Sequence, residues 1–241
     1  MSIEQIIQEA KQDDDIIGIW IGGSRAKGYA DKYSDYDVWI FLTDEAYHQR
    51  QKSGKPRKVF VENYEIFYTT LEEVAKFQGL NYAFSDAKPL IDKTGDLQKL
   101  MTSIGGFPAE KKDEIITTEL NAYCNALFYS LKATRRHNQL GGVLEATQSI
   151  EHLLTALFAL HGKYKPYDSY LFKELHVLTK VNITDFHEKL YKIVTTGDAN
   201  EQRSLKKDME KLFRQEGYGN VFDAWDTTST WKDVLEEKES L

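Results

Sequence analysis

Asp35 and Asp37 flank Tyr36 at the head of an apolar run over residues 38–42, and a Gly22-Gly23-Ser24 turn lies a short distance upstream. Alternate side chains of a strand share a face, so this spacing projects both carboxylates from one side of one strand. Such a pair attracts a divalent cation; without one, repulsion favours a proton on one carboxylate or a loosened strand end. Gly22 and Gly23 let backbone N–H groups come close to a ligand, and residues 24–30 read as a short helix whose N-terminus favours an anion. Phosphate and metal therefore suit one place. The plainer alternative is a tight turn in which Asp31, Asp35 and Asp37 are solvated acids.

The surrounding elements must deliver these residues to one another. Ser2 and Gln5 predict a capping box for a first helix that runs to about Asp13, with Ile3, Ile6 and Ile7 on one face. Residues 16–21 then read as a buried strand leading into the glycine turn. A polar helix is expected from Asp44, strands over 59–61 and 64–68, a helix from Thr70, and a last short strand over 89–91. Interleaved strands and helices make residues 1–104 a unit built on a mixed sheet. From Gly105 onward the pattern turns helical, over 108–137, 140–161, 183–195 and 200–215. Leu144, Ile150, Leu153, Leu154, Leu157, Phe158 and Leu160 make the second of these too apolar for an exposed helix and predict a central one. The expected class is α+β: a mixed sheet flanked by helices over 1–104, then an α-helical bundle over 105–241.

Composition narrows the choice of partners. No segment approaches the ~20 apolar residues of a membrane span. The acidic, amphipathic N-terminus does not resemble a signal sequence, so a cytoplasmic location is expected. The single cysteine, Cys124, sits in a helical apolar pattern and reads as a core residue. A net charge of -7 argues against a nucleic-acid partner, whose phosphates attract clustered Lys and Arg, and suits a cationic ligand instead. The histidines are scattered without paired ligand spacing. Phe222, Trp225 and Trp231 are expected to pack on the bundle.

Gly23-Ser24, then Ser34-Asp35, then Asp37 entering an apolar strand together resemble the signature of the nucleotidyltransferase superfamily related to DNA polymerase beta. Within it, the stretch is most similar to the antibiotic nucleotidyltransferases that adenylylate aminoglycosides or lincosamides, and the likeness extends to about residue 92. The resemblance implies a nucleotidyltransferase catalytic domain over 1–104 and a helical acceptor-binding domain over 105–241. It also implies a third acid from the neighbouring strand. Glu65 sits at the matching place, sharing a face with Phe67 while Tyr64, Ile66 and Tyr68 share the other; Glu62, beside the Asn63 turn, is the competitor.

On this likeness Asp35, Asp37 and Glu65 are the catalytic, metal-binding acids, holding one or two Mg²⁺ ions against the triphosphate of ATP. Gly23 and Ser24 would hold phosphate, with Arg25 and Lys27 beside them and Lys163 and Lys165 reaching the nucleotide from the helical domain. Glu65 would ligate metal, accept the hydroxyl proton, or do both; Glu145 and Glu151 are the alternative bases. The implied reaction moves a nucleoside monophosphate, with AMP the leading candidate, to a hydroxyl of a small molecule such as an aminoglycoside and releases pyrophosphate. Transfer to a protein or RNA acceptor and a non-catalytic nucleotide-binding module are the alternatives. A homodimer is compatible with the likeness.

Overall fold

The computed structural model describes residues 2–77 and 79–236. The chain divides into two compact units, Met1–Phe107 and Pro108–Leu241.

In the first unit, α1 (Ile3–Gln12) opens on the Ser2/Gln5 capping box, in which each side chain bonds the other residue's backbone N–H. β1 (Ile16–Ile21) leads to the one-turn helix α2 (Gly23–Ala26), and β2 (Tyr36–Leu42) follows. Then come α3 (Asp44–Lys52), the hairpin of β3 (Lys58–Val61) and β4 (Tyr64–Thr69), α4 (Leu71–Lys76), α5 (Asn81–Phe84), β5 (Ile91–Asp92) and α6 (Asp96–Gly105). The strands form one five-stranded sheet in the order β3-β4-β2-β1-β5. It is mixed: β2 and β4 run parallel, and the other pairs antiparallel. Strand alternation splits the apolar residues between two helical layers. Ile19, Val38, Ile40, Tyr64 and Ile66 pack with Ile6 and Ala10 of α1 and Tyr47 of α3. Trp20 and Phe41 face the opposite way and pack with Val74, Phe84, Leu97 and Met101 of α4 to α6.

Two expectations need correction here. The helix expected over 24–30 is only Gly23–Ala26, because the chain turns away once the Ser24 carbonyl accepts the Tyr29 N–H at 2.8 Å. The last strand, expected over 89–91, is Ile91–Asp92, and the helix α6 that follows it was not anticipated. Its start is set by Asp92, whose carboxylate oxygens accept the Gly95 N–H at 2.8 Å and the Gln98 N–H at 2.9 Å, a cap reaching across a turn.

The second unit is built on α7 (Lys112–Arg135) and α8 (Gln139–Leu160), joined by a short turn. Ser130 ties them by donating to the Gly142 carbonyl at 2.7 Å. α8 is the central helix, with Ile150, Leu153, Leu154, Leu157, Phe158 and Leu160 all buried. Leu144 is the exception. It is 57% exposed on the outward side of the first turns. Short helical pieces, among them α9 (Leu171–Glu174), precede α10 (Ile183–Thr196), α11 (Ala199–Gln215), α12 (Gly219–Asp226) and α13 (Ser229–Leu235). Phe222 and Trp231 are buried in the bundle, and the Trp225 ring lies 5.1 Å from that of Trp231. Among the described residues no helix is long and apolar enough to cross a membrane.

Cys124 is fully buried in α7, and burial pushes its thiol up to about 12. The native protein should therefore resist a thiol reagent and react completely only once denatured. Stoichiometric labelling of folded protein within minutes would contradict this placement.

Candidate metal and phosphate site

Strand pairing builds the acidic cluster. In the parallel β2/β4 pair, Asp37 is registered opposite Glu65, so their side chains leave the same face of the sheet as near neighbours. Asp35 joins them from just outside the sheet. β2 begins at Tyr36 rather than at Asp35, a correction to the expectation that both aspartates lie on the strand. Ligand oxygens of Asp35, Asp37 and Glu65 nonetheless all lie within 4.8 Å of one another.

The loop before β2 is held by its own side chains. Ser34 Oγ accepts the Asp31 N–H at 2.8 Å, and Asp31 Oδ1 accepts the Tyr33 N–H at 2.9 Å. Arg25 adds an outer brace, its guanidinium donating to the Ser34 carbonyl at 2.7 Å and the Asp35 carbonyl at 2.8 Å while lying 3.7 Å above the Tyr36 ring. The Tyr36 ring in turn stacks on Tyr64, with centroids 4.7 Å apart.

The glycine turn closes against the same carboxylates. Gly22 extends the β1/β2 ladder by donating its N–H to the Asp37 carbonyl at 2.7 Å. Gly23 then takes φ +62°, and a Cβ there would collide with Asp37 Oδ2. Backbone conformation and close approach both demand glycine at this position. The first turn of α2 carries no side-chain cap, and Ser24 sits within it.

Electrostatics mark the cluster as strained by charge. Asp37 holds its proton above the usual carboxylate range, chiefly through burial and then through repulsion from Asp35, with Lys58 opposing the shift. Glu65 is ion-paired with Lys58 Nζ. Sequence reasoning missed Lys58. The available signal was the alternation of β3, which puts Lys58 and Phe60 on one face, but locating them beside Glu65 requires the hairpin register, Phe60 opposite Glu65 and Lys58 opposite Phe67. The donor set is all oxygen, clustered, and backed by a glycine that leaves space, which fits a hard divalent cation.

The remaining candidates lie in different settings. Glu62 is exposed in the β3/β4 turn with φ +52°, whereas Glu65 is the acid that meets the aspartates. Lys27 donates to the Ser85 carbonyl at 2.7 Å and lies 4.4 Å from the Tyr82 ring centroid. Lys163, Lys165, Glu145 and Glu151 belong to the helical unit. Lys165 bridges Glu151 at 2.8 Å and Asp168 at 2.5 Å. Burial works against its charge, but hydrogen bonds to Asp168 and Glu151 outweigh that, and its ammonium is held above its ordinary range.

Residues 3–93 match the family model of the nucleotidyltransferase domain, a stretch that contains the glycine turn and all three acids. One similar solved structure is a nucleotidyltransferase-like protein from Exiguobacterium sibiricum 255-15. It aligns at a TM-score of 0.47 and 9% identity, over 94% of this chain and 79% of the other. No curated protein matches the chain.

Two outcomes follow from this geometry. Gly23→Ala should cost roughly 1–2 kcal/mol in denaturant unfolding, the penalty for placing an L side chain in the left-handed region, with the Asp37 clash adding to it; unchanged stability would contradict the close approach. The raised Asp37 carboxyl favours folding below its unfolded value of 3.8, and this contribution is lost as pH rises through its higher native value. Asp37→Asn should therefore be at least as stable as the parent at neutral pH in chelator, with a flatter melting-temperature profile between pH 3 and 7.

Proposed function

We propose that this protein is a metal-dependent nucleotidyltransferase that moves a nucleoside monophosphate from its triphosphate to a hydroxyl of a small molecule, with release of pyrophosphate. The observation that carries the reading is the gathering of Asp35, Asp37 and Glu65 within 4.8 Å beside the Gly23 turn, inside the stretch that matches the nucleotidyltransferase domain. The three carboxylates would hold one or two Mg²⁺ ions; when bound, the metal neutralises charge on the phosphates.

The chain's own residues supply the rest. The uncapped N–H groups of Gly23 and Ser24, with the Ser24 hydroxyl, bind phosphate oxygens, and Arg25 keeps Asp35 aimed at the same point by fixing the backbone that carries it. Lys27 stands close to this turn in sequence and is a further candidate contact for the nucleotide. A substrate hydroxyl attacks the α-phosphorus, its O–P bond forms as the bond to pyrophosphate breaks, and its proton passes to Glu65. ATP, and hence transfer of AMP, is the preferred donor in this reading. The helical domain, 105–241, binds the acceptor. A cationic acceptor such as an aminoglycoside suits the chain's net charge of -7.

Pyrophosphate release from each of the common nucleoside triphosphates, with Mg²⁺ and a panel of aminoglycosides and lincosamides, tests the proposal. Turnover with ATP and a drug is expected, and Asp37→Asn should lower it by ~100-fold or more while the fold persists. Full activity of that variant would refute the metal assignment, and label transferred to protein or RNA instead would refute the small-molecule acceptor.

A further inference from the structure

We infer that Lys58 is a built-in counter-ion of the acidic cluster, holding the Glu65 carboxylate until a divalent cation displaces it. This inference rests on the metal-binding reading above and adds to it a residue outside the carboxylate set. The register of the β3/β4 hairpin is its physical source. Lys58 faces Phe67 directly and Glu65 diagonally, a separation that a lysine's four-carbon stem spans. Its ammonium reaches the Glu65 carboxylate while lying 4.7 Å from the Phe67 ring centroid and 4.8 Å from that of Phe60. The aromatic faces guide the stem toward the acid and give the charge a second favourable contact.

Arg25 and Lys27, which flank the glycine turn, have partners of their own. Arg25 donates to the backbone of Ser34 and Asp35, and Lys27 to Ser85. Lys58 is paired with Glu65, and it offsets one of the cluster's three negative charges. Its side chain is 42% exposed against 16% for Glu65, so the lysine can swing into water while the carboxylate stays in place. A metal ion that takes the same oxygen, Glu65 Oε1, as its ligand breaks this ion pair. Metal affinity is set by the difference between the two attachments, and Lys58 weakens it.

Mn²⁺ alone is the probe, titrated against the full-length protein and followed by electron paramagnetic resonance, with thermal melts to confirm folding. Lys58→Met should tighten Mn²⁺ binding by roughly tenfold, and Lys58→Arg should keep the parent's affinity, since it keeps the charge. In the parent, labelling of Lys58 by an amine-reactive reagent, read by mass spectrometry, should rise when Mn²⁺ saturates the site. That rise should vanish in Asp37→Asn. Binding by the parent that is lost in Asp37→Asn but unchanged in Lys58→Met would overturn the role of Lys58 and leave the metal site standing. Tighter binding with no change in Lys58 labelling would overturn displacement. A folded parent that takes up no Mn²⁺ would overturn both this inference and the metal assignment.

Discussion

Repulsion among three carboxylates is the constraint that the first unit is organised to withstand. Two unit charges about 5 Å apart repel by about 3 kcal/mol at an effective dielectric near 20, a sizeable fraction of the ~5–15 kcal/mol that holds a domain together. Asp37 and Glu65 cannot separate, because each is fixed by a backbone ladder and the parallel pairing sets them side by side. The cluster is relieved chemically instead: burial and Asp35 raise the proton affinity of Asp37, and Lys58 pairs with Glu65.

The ladder holds because both faces of the sheet are packed. The layer of α1 and α3 covers Ile40 and Ile66, and the layer of α4 to α6 covers Trp20 and Phe41. On the acid-bearing face, Trp39 stacks on Phe67 with centroids 4.7 Å apart, directly along the strands from Asp37 and Glu65. This ring pair packs β2 against β4 one step along from the acids and helps to anchor the register.

Much of this was legible in the linear chain. The Ser2/Gln5 box, the alternation of Glu65 and Phe67, the spacing of Asp35 and Asp37 and the dense apolar stripe of the central helix each rest on rules that act over a few residues. What escaped depends on pairings between segments distant in sequence or on unusual caps. Lys58 acquires meaning only through hairpin register, α6 begins on an aspartate that caps across a turn, and Leu144 turns outward because a helix covered along one stripe still has an outer side. Arg25 is recognisable in the sequence as a cation beside the glycine turn. Its bonds to Ser34 and Asp35 could not be inferred without the course of the intervening loop.

That brace also bears on how capture of a ligand is driven. With Arg25 gripping two carbonyls, Ser34 and Asp31 locking the bend, and Tyr36 in contact with both the guanidinium and Tyr64, the segment carrying Asp35 has surrendered its freedom during folding. Little ordering entropy is then left to lose on association, so selectivity comes to rest on fit and charge rather than on remodelling of the receptor.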